Sequence, residues 1–246
     1  MANQRLRNGL LAAGMTRSSL AEQVDVDEKT VERWITRNRI PHPNTRARVV
    51  GVLGQDETYY WPELLGTEQA RNTTEAELVH MWPTRSSVPG DVWTALFKQA
   101  TSDIDVLVYS GGFLVEAYDL VEVIRSRAAA GVSFRVLLGD SRCEAVRQRG
   151  KEEGLPTLPE RCRSTLEYLS EVANLPGVQI RTHRTVLYAS LFRFDESMMV
   201  NTHTYGAYAA RSPVLHLRRV PGGQLFDYYN RAYDRVWAAG EEVITR

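Results

Sequence analysis

Four polar side chains fall close together near the N-terminus: Glu28, Lys29, Thr30 and Arg33, interleaved with apolar Val31 and Trp34. On a helix the polar four share the face opposite Val31 and Trp34. Lys29 and Arg33 could donate to guanine O6 and N7 there, and Thr30 could meet a thymine methyl or a phosphate. Glu28 could accept from cytosine N4 or simply favour the positive end of the helix. Thr16, Arg17 and Ser18 suit phosphate contact, and Arg37, Arg39, Arg46 and Arg48 add cations that neutralise phosphates. A second set lies far downstream. Ser110-Gly111-Gly112 and Gly139-Asp140-Ser141-Arg142 each end an apolar run with small residues whose backbone N–H groups could meet an anion. Tyr188, Ser190, Asp195 and His203 follow. The five histidines show no paired metal-ligand spacing, so no metal or other cofactor is expected. Ser190 with His183, Asp195 or His203 has the residue types for nucleophilic catalysis. No Gly-x-Ser-x-Gly elbow presents the serine, and a satisfied polar cluster is the preferred reading over an enzyme.

The elements that must position the first set are short helices. Leu6, Leu10, Leu11 and Ala13 form a helical stripe that Gly14 stops. Thr16 is suited to cap a helix over 17–24 with Leu20, Ala21 and Val24 inward. Asp25-Val26 makes a turn, and Asp27 begins a helix over 28–36 that Asn38 and Pro41 end. Pro43 or Asn44 starts another, closed by Gly54. Such short helices hold together only as a bundle with a shared core.

LAEQVDVDEKTVERW resembles the helix-turn-helix of the Cro/C1 (XRE) repressors over roughly residues 3–55. Ala21 falls at the close helix–helix contact, Val26 in the turn, and Val31 and Trp34 in the core. Many relatives carry Gly in the turn; here Asp25 must adopt that conformation, which Asp tolerates better than most residues. The resemblance implies a domain whose second motif helix enters the major groove, and a dimer reading two half-sites.

Gln55–Thr74 is polar around Tyr59-Tyr60-Trp61, read as a strut between two domains, with a short helix near Pro62–Leu65. Beyond it the periodicity predicts strands at 76–82, 104–110 and 133–140. Helices are expected at 90–100, 114–131, 141–154 and 160–175. Strands at 178–183, 185–195, 197–204 and 213–220 follow in succession, then a last helix at 223–240. Alternation followed by antiparallel strands predicts a three-layer α/β/α domain with a mixed sheet. Ligands in such sheets sit beyond the carboxyl ends of the parallel strands, which singles out the Ser110 and Asp140 loops.

The order of elements over about 76–240, with TVLYASLFRFDESMMVNTHTYG near its end, resembles one half of the phospholipase D superfamily. Its His-x-Lys…Asp…Gly-Ser-x-Asn signature, anchored on Asp195, puts Tyr188 at the histidine, Ser190 at the lysine and Thr202–Tyr205 at the last segment. Only the aspartate matches. The resemblance therefore implies a site that has lost the imidazole and ammonium needed for attack on phosphorus. The resemblance implies a site that binds without cutting, with a phosphorylated or nucleotide-like compound as effector, and a homodimer, since the family's single-copy members build their site across a dimer.

Residues 1–50 carry nine Arg/Lys against five Asp/Glu, and residues 51–246 carry 21 against 25. A basic first domain on an acidic second suggests that only the first meets a polyanion. No apolar run approaches a membrane span or a signal peptide, and two cysteines cannot build a disulfide framework, so a cytoplasmic protein with free thiols is expected. The expected organisation is a DNA-binding domain at 1–55, a linker at 56–75 and a sensor or dimerisation domain at 76–246. The expected function is a transcriptional regulator binding double-stranded DNA as a homodimer, with a small-molecule effector. The alternatives are a phosphodiesterase or nuclease targeted to nucleic acid, and a protein-interaction module without a small ligand.

Overall fold

The structure is a computed structural model and describes residues 2–66, 73 and 75–243. Positions 67–72 and 74 of the expected linker lie outside the described residues. The chain divides into two compact units, 1–75 with 220–223, and 76–219 with 224–246.

The first unit is built from α1 (Gln4–Ala12), α2 (Arg17–Gln23), α3 (Glu28–Arg37), α4 (Pro43–Leu53) and α5 (Glu57–Tyr60), followed by a 3₁₀ turn at Pro62–Gly66. Local chemistry sets each boundary. The Asn3 side chain accepts from Leu6 N at the start of α1. Thr16 and Ser19 exchange reciprocal side-chain bonds to backbone N–H at the start of α2. Asp25 takes a left-handed φ of 56°, and Asn38 and Gly54 do the same where α3 and α4 end. Leu6, Leu20, Val24, Val31, Trp34 and Val49 form the core.

Two sequence expectations are corrected here. The aromatic triplet is no strut: Tyr60 and Trp61 are fully buried in this same core, Trp61 edge-on to Trp34. Pro62 stops the chain from continuing as an α-helix, which lets the aromatics turn inward. Arg46 is not a free phosphate neutraliser. It is buried, donating to Glu57 Oε2 at 2.6 Å and to the Pro41 carbonyl at 2.9 Å. Arg48, half exposed, donates to the Val24 carbonyl behind the turn.

The second unit is a mixed eight-stranded sheet, ordered β1-β7-β6-β5-β2-β3-β4-β8. Its strands are β1 (Leu78–Trp82), β2 (Asp103–Leu107), β3 (Ser133–Gly139), β4 (Val178–His183), β5 (Ala189–Phe194), β6 (Ser197–Thr202), β7 (Val214–Arg218) and β8 (Glu241–Glu242). β2, β3 and β4 run parallel, and every other pairing is antiparallel. The helices are α6 (Gly90–Gln99), α7 (Gly112–Tyr118), α8 (Leu120–Ala129), α9 (Glu144–Glu152), α10 (Leu158–Ser170) and α11 (Leu225–Ala238). The expected single helix over 114–131 is interrupted, because Asp119 adopts a left-handed φ of 49° and caps α8 through its side chain. β8 was not anticipated.

Strand alternation divides the interior into two cores. Ile104, Val106, Val108, Phe134 and Val136 meet α6, α7 and α8 on one face. Leu107, Leu137 and Leu191 meet α9, the start of α10 and α11 on the other. Asp105 lies on this second face, buried, and accepts from Arg135 (2.8 Å, two bonds) and Arg193 (2.9 Å). Glu77, 1% exposed, accepts from the N–H groups of Gln224, Leu225 and Phe226 and so caps α11. Among the described residues no helix is long and apolar enough to cross a membrane.

Candidate functional site

The residues chosen as a DNA-contacting set lie on the outside of the first unit. Thr16, Arg17, Ser18, Glu28, Lys29, Arg33, Arg37 and Arg39 are exposed and Thr30 half-buried, while Val31 and Trp34 of the same helix are buried. Asp27 N-caps α3 in position only, making no side-chain cap bond. Arg17 reaches Glu32 at 3.6 Å, both half exposed, which is a weak solvated pair. The turn between α2 and α3 is fixed by Val26 N donating to the Ala21 carbonyl at 3.0 Å.

In the second unit a cavity of about 280 Å³ opens beside the carboxyl end of β2. Ser110, Gly111, Gly112, Ser190 and His203 line it, so five residues singled out from sequence come together. Gly111 has a left-handed φ of 63°, and a Cβ there would press on Val108 Cγ2 at 2.9 Å. Glycine is therefore required for the loop to fold back over β2.

The floor is an ordered polar pair. His203 Nδ1 lies 3.1 Å from the Leu187 carbonyl, which can only accept, so Nδ1 carries the proton. Nε2 is then the acceptor for Ser190 Oγ at 3.0 Å. Tyr109 stacks on the imidazole at 5.8 Å and its hydroxyl accepts from Leu187 N. Burial, with Arg149 and Arg85 nearby, lowers the His203 pKa to about 4, so the ring is neutral at neutral pH. That makes it a hydrogen-bonding group and a weak base.

The other sequence candidates are elsewhere. Asp140 is buried and accepts from Arg142 N and Nε and from Arg184 Nε at 3.0 Å. Arg142 is otherwise exposed, and neither residue lines the cavity. Gly139 beside them allows close packing, since a Cβ would sit 2.7 Å from Val146. Tyr188 is 83% exposed and contributes only its carbonyl, to His203 N. Asp195 sits in the β5–β6 turn, about 17 Å along the strand from Ser190 at the usual rise per residue. There its carboxylate accepts from Thr101 N and Oγ1, Ser102 N and Asp103 N. Burial pushes this carboxyl up, but those N–H groups together outweigh it and hold it below the ordinary value. It clasps a turn. His183 shares Tyr109 with His203 but bonds to the Val108 carbonyl and stays outside the cavity.

Sequence reasoning missed the charged walls. Arg85 stands on a 3₁₀ turn clamped by reciprocal Thr84–Ser87 bonds, with Arg85 N donating to the Ser212 carbonyl. Its guanidinium Cζ lies 3.9 Å from the centre of the Phe113 ring, and it donates to Asn201 Oδ1 at 3.5 Å. Burial pulls its pKa down to about 10. Glu153 is paired with buried Arg149 at 2.6 Å, and Arg149 also ties the Ala207 carbonyl to α9. Arg161 at the rim pairs with exposed Glu116. The Thr84-x-x-Ser87 capping pattern was the one readable signal for Arg85. Among the described residues no group of three or more metal-ligating side chains exists.

No family model matches the chain, and no curated protein matches it. Among solved structures it is similar to TrmBL2, an archaeal chromatin protein whose structure is described as showing a novel mode of DNA binding. The identity is 17%, the match covers 83% of this chain and 72% of that one, and the TM-score is 0.43. At that distance the likeness carries no functional conclusion.

Proposed function

We propose that the chain is a DNA-binding transcriptional regulator. Its first unit would read DNA as a Cro/C1-type helix-turn-helix, and its second would respond to a small ligand. The observation behind this reading is the division of α3, which buries Val31 and Trp34 and leaves Glu28, Lys29 and Arg33 in solvent. A recognition helix needs one face committed to the bundle and the other free for base edges. The cavity at 76–219 supports the ligand half of the proposal, being of metabolite size and lined by both apolar and polar groups. The working form is a homodimer on an inverted repeat, with ligand binding favouring one placement of the two readers.

Selection from a random DNA pool, with wild type and Arg33→Ala in parallel, tests it. A short inverted repeat whose preference relaxes at one position in the variant is the expected result. Absence of any enriched sequence, with and without cell extract, sinks the DNA-reading claim.

One observation favours a second reading, a hydrolase. Ser190 donates to His203 Nε2 while the Leu187 carbonyl orients the ring, which is the geometry of a nucleophile and its base. The low basicity of His203 argues against it. Turnover of a generic phosphodiester that disappears in Ser190→Ala would establish it.

A further inference from the structure

The cavity is chemically two-sided. Val108, Phe113, Leu155, Leu158, Ala209 and Ala210 supply apolar wall. Ser190 and His203 form a neutral polar patch whose bonds are mutual. Each remaining charge but one has an opposite partner: Glu153 has Arg149, and Arg161 has Glu116. Arg85 is the exception. Among the described residues it makes no ion pair within 4.0 Å, although the ring of Phe113 covers one face of its guanidinium and Asn201 is its hydrogen-bonded neighbour at 3.5 Å.

The side chain is half-buried, the carboxylate whose charge reaches it, Glu153, is already paired with Arg149, and one neutral amide at the limit of hydrogen-bond distance does little to offset the lost hydration. The Phe113 ring, 3.9 Å from its Cζ, and the clamped turn at Thr84–Ser87 together restrain the guanidinium. A planar fork held in place is suited to two parallel bonds from one acidic group.

We propose that the cavity binds a small organic anion, with one carboxylate or phosphate monoester on Arg85 and an apolar body against Phe113, Leu155 and Leu158. This rests on the reading of the cavity as a ligand site. It names the class of ligand: neutral sugars and cations are disfavoured, and an acid of metabolite size is favoured. Ser190 and His203, whose O–H and N–H are committed to each other and to the Leu187 carbonyl, line the cavity without adding charge.

Calorimetry on the full chain, without DNA, tests this with benzoate, phenyl phosphate and the neutral isostere benzamide. The expected result is saturable binding of at least one anion, tenfold or more weaker for benzamide. Arg85→Gln should weaken the anion by tenfold or more, and Arg85→Lys should restore part of the loss. The Lys variant keeps the cation, so it also guards against a Gln variant that does not fold. Equal binding of benzamide, anion affinity unchanged in folded Arg85→Gln, or no anion binding by wild type would each overturn the proposal. The outcome is separable from the regulator reading. Anion binding through Arg85 that leaves DNA affinity unchanged would defeat ligand sensing and keep the anion site. Extract-dependent DNA release that persists in Arg85→Gln would do the reverse.

Discussion

Arg33 and Arg85 are the same residue type used in opposite ways. Arg33 is on an outward helix face, solvated. Arg85 lies over an aromatic ring in a cavity, and burial, helped by the Arg161 charge and opposed by Glu153, has lowered its pKa to about 10. The contrast runs through both regions. The outer face of the first unit leaves its polar groups to water, whereas the cavity must satisfy most of its own, through Ser190–His203–Leu187 and Arg149–Glu153. A surface that meets a polyanion can leave its charges unpaired, because the partner supplies the counter-charge. A cavity cannot do so without penalty, so the one lining charge that makes no ion pair among the described residues is informative.

The sharpest break of the comparison lies inside the first unit. Arg46 is buried against Glu57, unlike its exposed neighbours in sequence. Arg46→Ala should cost about 3–5 kcal/mol of stability, as expected when one member of a buried pair is removed. Trp34→Ala should cost a similar amount, about 3–5 kcal/mol, by emptying the core. Urea unfolding would measure both, and a loss under about 1 kcal/mol would mean the bundle does not depend on these contacts.

Arg33→Ala should leave stability within about 0.5 kcal/mol while weakening binding to the selected site by about 1–3 kcal/mol. A fluorescence anisotropy titration showing no loss would remove Arg33 from the interface. Arg37→Ala should weaken all sequences alike and lower the salt dependence by about one counterion. A sequence-selective loss would instead make Arg37 a base reader. Thr16→Ala should be smaller still, about 1 kcal/mol of stability, through the lost cap of α2.

The pH test sharpens the other side. His203 titrates near 6.5 when unfolded and near 4 when folded. Between those values the unfolded chain binds the extra proton, so stability should be full above about 6.5 and fall as pH drops toward 4. His203→Gln should flatten this part of the profile in thermal melts. An unchanged slope would mean the imidazole is not the group held neutral.

Much of the frame was legible. Local signals placed the ends of α1 to α4, because capping side chains and left-handed residues act within a few positions. Hydrophobic runs located β2 to β7 within a few residues. The second site was legible only in part. Ser110–Gly112 were found from the rule about strand ends, but Tyr188 and Asp195 came from motif spacing and point elsewhere. Asp119 could not be foreseen as a break, since the helical pattern continues through it.

What the sequence by itself determined is therefore local: element boundaries, the inward face of each helix, the basic first unit and the glycine at 111. Which polar groups meet was decided only by the tertiary structure. Arg85 meets Phe113 and Asn201 and lines one cavity with Ser190 and His203, all from separate stretches of chain. Tyr60 and Trp61 became core because the bundle had room for them. Arg46 became a strut because Glu57 came alongside. Side-chain polarity is fixed by residue type, but the partner that satisfies it is chosen by packing between distant segments.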